Sequence, residues 1–437
     1  MKNPRILLAA ALALYGAGVI RAQTPPPATN LTPGAPPRTG LDPYPLPPTP
    51  PPPGYPLVDQ GMVGPPAVAI GDNAVPNVPK MWFNAGWAWS WVTSAPFSSP
   101  LLTTSTPADA GLLGAPSTAV LVGQARYSYG TINGGMFGSG GWFNEDRTFG
   151  ADGSTTWNEQ KSLNVYNSSD GSLGSTPLYR PIFDPVTQTE TSVPVAIPGV
   201  LAGDFLLFQK FNMVNGDSNL MMNVYRDERS SWTLMLGYRL IYIDEQLYMT
   251  QDAFGLVDGA ISYLGTPLPA GNFLTIVDRI ETENRLYLGQ LGARWERHFG
   301  IIDLGITYKF GFGWADERTF LSGSTTLNPP APAALGGILI QQSMPFRNQN
   351  ERFVVVPDLN VHVSMQLIRR LRATFDYHAT YISSVARPGD FIDRTVELSQ
   401  APSFAGYNGI MGVRPAYHQT DNSLFSQTII AGLAWEY

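Results

Sequence analysis

Residues 302–314 place the tightest constraint on what this chain can fold into. Ile302, Leu304, Ile306, Tyr308, Phe310, Phe312 and Trp314 alternate with Asp303, Gly305, Thr307, Lys309, Gly311 and Gly313. Period two puts one residue set on each face of a β-strand, so one face is apolar and the other is small or charged. The pattern returns in Phe353, Val355, Leu359, Val361, Val363, Met365 and Leu367, with Val354 and Val356 as exceptions. It returns again in Leu371, Ala373, Phe375, Tyr377, Ala379 and Tyr381. A soluble sandwich would alternate too, so length decides: these runs reach about 14 residues, beyond the usual 5 or 6 of globular strands and enough for a tilted membrane crossing. Aromatics gather towards run ends, as in Trp87, Trp89 and Trp91, or Trp435 and Tyr437, where interfacial girdles sit.

These features predict an all-β fold, an antiparallel up-and-down transmembrane β-barrel of 12 to 14 strands. Strands are expected near 82–91, 124–132, 135–143, 147–155, 203–212, 217–226, 231–244, 284–298, 301–315, 352–367, 371–384 and 424–437. Long connections (245–283, 316–351, 385–423) alternate with short ones (299–300, 368–370), the asymmetry of barrels with periplasmic turns and external loops. One connection disagrees. Residues 156–202 are long yet fall on the short-turn side, so either a strand pair near 178–183 and 192–197 is hidden there, or the segment folds into the lumen.

Composition narrows the classes further. Charged residues are 14% against 11% aromatics and 44 glycines, a balance poor in helix formers. A net charge of -7 gives no field to attract a phosphate backbone, so nucleic acid is not an expected partner. Zero cysteines remove disulfides and thiolate metal sites. Lys2 and Arg5, an apolar run over 6–20, and Ala22 before Gln23 read as a cleavable signal peptide over 1–22. Residues 23–80 read as a proline-rich tether, with 17 prolines over 24–66 that fix φ and remove backbone donors. The barrel then covers 81–437.

Specific stretches carry a resemblance. WFNAGWAWSWVTSAPFSSPLLTTS (82–105), GYRLIYIDEQL (237–247), NRLYLGQLGARWE (284–296), ERFVVVPDLNV (351–361) and SSVARPGDFIDR (383–394) resemble, in order, the β-barrel porin family expanded in planctomycete bacteria. The RPGD and VVPDL stretches are the most specific. The resemblance implies an outer-membrane barrel of porin type and supplies no substrate; the tether lies outside it.

The same residues carry few signs of chemistry. None of the four histidines opens an HExxH, and neither a GxxxxGK[ST] loop nor a GxSxG elbow occurs, so enzyme readings lose their strongest signals. No catalytic residue, metal site or cofactor is expected. Asp244 and Glu245 point to opposite faces of one strand, which suits a solvated rim rather than a dyad. Arg387, Pro388, Gly389 and Asp390 open a loop, where Arg387 and Asp390 can pair across a structural corner or form a constriction. If residue 367 lies opposite 371, His362 lies beside Asp376 and within diagonal reach of His378. Arg294, Glu296, Lys309, Arg352, Asp358 and Arg372 share that inner face, and their mixed signs argue against a strong ion preference. Ile306, Tyr308, Val361, Phe375 and Leu433 are expected to face lipid.

The function expected is therefore an outer-membrane, porin-like barrel with a polar lumen for small solutes and no reaction. Its partners would be outer-membrane lipid and, through the C-terminal strand ending in Tyr437, the barrel assembly machinery. The alternative is a structural or adhesive surface protein whose barrel anchors long external loops and whose tether contacts the cell wall.

Overall fold

The structure, a computed structural model, describes residues 79–420 and 422–437. The leader and nearly all of the tether therefore lie outside the described residues. Strands follow in chain order as β1 (Met81–Val92), β2 (Ala95–Thr104), β3 (Ala119–Tyr127), β4 (Ile132–Trp142), β5 (Phe149–Asn158) and β6 (Lys161–Ser169). Then come β7 (Leu178–Asp184), β8 (Thr189–Ala196), β9 (Leu201–Arg226), β10 (Ser230–Gly255), β11 (Ser262–Tyr263) and β12 (Thr266–Pro267). The remainder are β13 (Phe273–Phe299), β14 (Ile302–Leu327), β15 (Ala334–Leu335), β16 (Arg347–Ile368), β17 (Leu371–Val385) and β18 (Asn422–Glu436).

A 12-stranded antiparallel sheet forms the wall, as the alternation predicts. It closes on itself: β9 pairs β10 at one end of the path, and β1 joins β18 with Phe83 opposite Trp435. Closure removes the unpaired edges that an open sheet of this size would present. Two of the strands add no step to the circuit, because β6 continues the line of β5 along β9 and β15 is a two-residue addition to β14. Tight turns gather at one end. Gly300, with φ 69°, takes the left-handed conformation that the two-residue turn between β13 and β14 needs.

The tall strands β9, β10, β13 and β14 reverse their polarity partway along. On β10 the outward set begins Trp232, Leu234, Leu236, Tyr238, Leu240 and continues Tyr242, Asp244, Gln246, Tyr248. The inward set begins Thr233, Met235, Gly237, Arg239 and continues Ile241, Ile243, Glu245, Leu247, Met249. The outside is thus apolar over 232–240 and polar beyond, while the inside does the opposite. β13 reverses at the same level, since Leu240 lies opposite Tyr287 and Tyr242 opposite Arg285. The apolar stretch matches the roughly 9 to 11 residues of a tilted crossing.

Inside the ring, beyond that level, sits a separate four-stranded sheet in the order β3-β2-β7-β8. Its Phe97, Leu101, Leu102, Ile182 and Val195 share one core with Ile241, Ile243, Leu286 and Leu288 of the wall. This explains Val354 and Val356. They face inward where the interior is apolar, and both are fully buried.

Several boundaries differ from the sequence expectation. Residues 203–212 and 217–226 form one strand, β9, and the strand expected near 124–132 is β3 of the inner sheet. Of the long connection 156–202, the first part is the wall strand β6 and the rest carries the β7-β8 hairpin. The 170–200 segment then falls at the end opposite the tight turns, and the disagreement disappears. Residues 245–255, 273–283, 316–327 and 347–351 are strand rather than loop. Much of what remains turns inward: Ile338, Leu339, Ile340, Phe391 and Val396 are all buried.

Candidate functional site

The interior has two tiers, set by the polarity reversal. In the tier behind the apolar belt, small inward residues such as Gly305, Gly311 and Gly313 leave room for long charged side chains from facing strands. Near the tight-turn end Arg372 contacts Asp303 and donates from Nε to Ser364 Oγ at 3.0 Å. His298 Nδ1 lies 2.7 Å from Asp303 Oδ1, and Glu296 accepts from Ser231 Oγ at 3.2 Å. The register sets His362 opposite Asp376, and Nδ1 approaches Oδ1 to 2.7 Å.

Further in, Lys309 pairs with Asp217, which also accepts from Ser154, Asn219 and Gln290. Arg294 crosses to Asp152 and donates to Thr307. Arg239 Nη2 donates to Asp358 Oδ2 at 3.0 Å, and Thr380 donates to the same oxygen. A small polar cavity of about 30 Å³ opens beside this network, lined by His378, Thr380, Asn158, Asn215, Ser426 and Thr428 among others. Arg352 faces inward opposite Ala315, at the level where the interior turns apolar. Opposite charges compensate one another through this tier, so each ion loses hydration but gains hydrogen bonds in return.

The second tier is largely apolar and holds two sealed ion pairs. Arg387 meets Glu245 through two nitrogens, Nε to Oε1 at 2.9 Å and Nη2 to Oε2 at 3.2 Å. Its Nη1 donates to the Thr93 and Ser94 carbonyls. Tyr129 and Gln209 also donate to Glu245 Oε2. Burial, and then the Glu245 charge, push the Tyr129 hydroxyl above its ordinary range, which keeps it a donor. Glu245 is thus an interior hub, which corrects its reading as part of a solvated rim; Asp244 does face outward. Arg387 and Asp390 do not pair across their corner. Asp390 accepts from Asn422 Nδ2 at 3.2 Å, and burial raises its carboxyl.

The second pair joins Arg180 of β7 to Asp278 of β13. Arg180 Nη2 donates to Asp278 Oδ2 at 2.8 Å, and Asp278 Oδ1 accepts the amides of Ile338, Leu339 and Ile340. Asn284 adds a backbone-like clasp, donating to the Ala386 carbonyl at 3.0 Å and accepting its amide at 2.7 Å. The sequence reading missed Asp152, Asp217, Arg239, Arg180 and Asp278. A signal existed for Asp278 and Glu245: each is a lone carboxylate within an apolar inward set, Ile276 and Ile280 for the first, Ile243 and Leu247 for the second.

The family model described as Putative beta barrel porin-7 (BBP7) matches residues 82–437. Among solved structures, the chain is similar to the outer membrane protease OmpT from Escherichia coli, at 8% identity over 82% of this chain and 96% of that one, with a TM-score of 0.36. It is also similar to a FadL homologue from Pseudomonas aeruginosa, at 7% identity over 84% and 93% of the two chains, TM-score 0.23. A third is the toluene transporter TbuX from Ralstonia pickettii, at 8% identity over 84% and 93%, TM-score 0.20. At these scores none of the three assigns a reaction or a cargo to this chain. No curated protein matches it.

Proposed function

Since the chain belongs to the beta barrel porin-7 family and is an outer-membrane β-barrel, we propose that its interior is the route by which small polar solutes cross that membrane, without any reaction. The observation that carries this reading is the charged inner face of the belt tier, where Lys309, Arg239, Asp217 and Asp358 line the wall behind lipid-facing Ile306, Tyr308 and Phe310. A barrel serving only as an anchor could fill the same space with apolar side chains at less desolvation cost.

In the orientation that follows, the tight turns and both ends of the described chain lie on the periplasmic side. A leader over 1–22 delivers the chain, the 23–80 segment is a periplasmic tether, and the last strand, ending in Tyr437, engages the assembly machinery. The test is conductance in planar bilayers, using refolded protein and a variant whose 172–198 segment is replaced by a short Gly-Ser linker. Discrete conductance steps in either support the reading. Two folded proteins that leave the bilayer as tight as a protein-free one remove it.

A further inference from the structure

We propose that the inner sheet is an autoinhibitory plug, clamped shut at two points by Arg180 on Asp278 and Arg387 on Glu245; this rests on the reading that the lumen passes solutes. Backbone contacts to the plug are confined to its margins: Ile197 bridges to Leu201 where β8 runs into β9, and Phe183 of β7 bridges to Thr395. The four strands β3-β2-β7-β8 form their own sheet, and among the described residues no strand ladder joins them to the wall. What holds them is side-chain packing together with polar contacts that converge on a few wall residues. Gln251 of β10 donates to the Pro194 carbonyl at 3.0 Å, Arg180 of β7 makes the charged contact to the wall, and Arg387, which follows β17, links Glu245 of the wall to the Thr93 and Ser94 carbonyls at the entry to β2.

Both pairs are sealed from solvent, with side-chain exposures of 1% and 0% in each. Sealing charges in this way is an expensive means of holding a permanent core together, because apolar residues of similar volume do so at least as well. Arg180 is the sharper case. Only its Nη2 has a carboxylate partner; among the described residues Nε and Nη1 have no hydrogen-bond partner, and the guanidinium otherwise rests over the Phe205 ring at 5.4 Å. A cation left partly unsatisfied in a dry interface regains hydration when the interface opens. Rehydration of four charges therefore offsets part of the apolar burial that is given up as the plug leaves. The closed and open arrangements are brought closer in free energy than an all-apolar seam would allow.

The two clamps also act on different parts. Arg180 holds the β7-β8 hairpin, and Asp278 at the same time fixes the inward turn at 338–340. Arg387 ties the 386–420 segment and, through the Thr93 and Ser94 carbonyls, the entry to β2. Releasing either loosens one half of the plug.

The experiment is single-channel recording on the refolded full chain with Arg387→Glu, Glu245→Arg and the double reversal, each checked for folding by the gel-mobility difference between unheated and heated samples. The wild type should dwell mainly closed. Either single reversal should raise the open fraction at least tenfold, and the double reversal, which restores the pair, should return it towards wild type. If a reversed chain does not fold, Glu245→Gln and Arg180→Met are recorded instead and should raise the open fraction in the same direction. Folded single variants as closed as the wild type, beside a conducting 172–198 replacement, overturn the clamp while leaving the solute route standing. Silence from the replacement as well would bring down both.

Discussion

Arg180 and Asp278 stand 98 positions apart in the chain and meet at 2.8 Å where neither touches water. Their partnership is unequal. Asp278 also receives three consecutive amides through its other oxygen, whereas Arg180 has one charged contact. Arg180→Ala should destabilise the folded protein by about 3 to 5 kcal/mol, the usual cost of leaving a buried charge without its partner. Asp278→Ala should cost more, because it also strands the amides of Ile338, Leu339 and Ile340. Urea unfolding in detergent, followed by tryptophan fluorescence, checks the order. Equal destabilisation would show that the three amides find other acceptors.

The polarity reversal on β10 gives a test within one face of one strand. Leu236 and Gln246 both point outward, but only Leu236 lies within the apolar belt. Leu236→Arg should cost roughly 2 to 4 kcal/mol in lipid, and Gln246→Arg roughly 0 to 1. Folding of the two variants into vesicles measures the difference. A similar penalty at both positions would mean that the belt extends past Tyr242.

Asp393 gives a pH dependence. Burial pushes its carboxyl up, but the amides of Ala416 and Thr395 and the Arg414 guanidinium outweigh that and hold it below its ordinary value of 3.8. A lowered folded value stabilises at pH above the unfolded one and is lost as pH falls through the folded one. Protection of the 393–416 amides from hydrogen exchange, taken relative to the intrinsic rate at each pH, should therefore fall below about pH 4. Asp393→Asn should show low protection already at neutral pH with little further change in protection on acidification. A variant that keeps the wild-type acid response would assign the response to another group.

Protease added to intact cells should cut within 406–413, where Ile410, Met411 and Val413 are 68%, 64% and 78% exposed. It should spare the turns at Gly300 and Arg369, which the proposed orientation places in the periplasm. Gly323 should also survive, because it lies within β14. Cleavage at the turns without cleavage at 406–413 would invert the orientation.

Much of the wall was legible because lipid and a polar interior impose opposite demands on alternate residues. The run from Ile302 to Trp314 gives its face directly, and the short connection after Ile368 is enough to pair His362 with Asp376. The strand ends were not legible. Past Leu240 the outward set turns polar and the inward set apolar, so a reading that follows one apolar face stops at residue 244 although the strand runs to Gly255. The inner sheet was half visible, since residues near 178–183 and 192–197 have strand character, but alternation does not say to which sheet a strand belongs. Arg387 and Glu245 are 142 positions apart; no local spacing links them, and only the closed wall brings them together.

The order of strands along the chain adds a consequence for assembly. β2, β3, β7 and β8 all precede β9, so the filling is synthesised before the tall strands that will surround it. The inward faces of β10 and β13 beyond the belt are nearly as apolar as their lipid-facing portions, and they have no bilayer to shelter them. The inner sheet covers them instead, and the last seam to form, between β1 and β18, comes after every strand of that sheet has been made. The vessel is wrapped around its contents: what fills it is already in place when the wall is drawn shut.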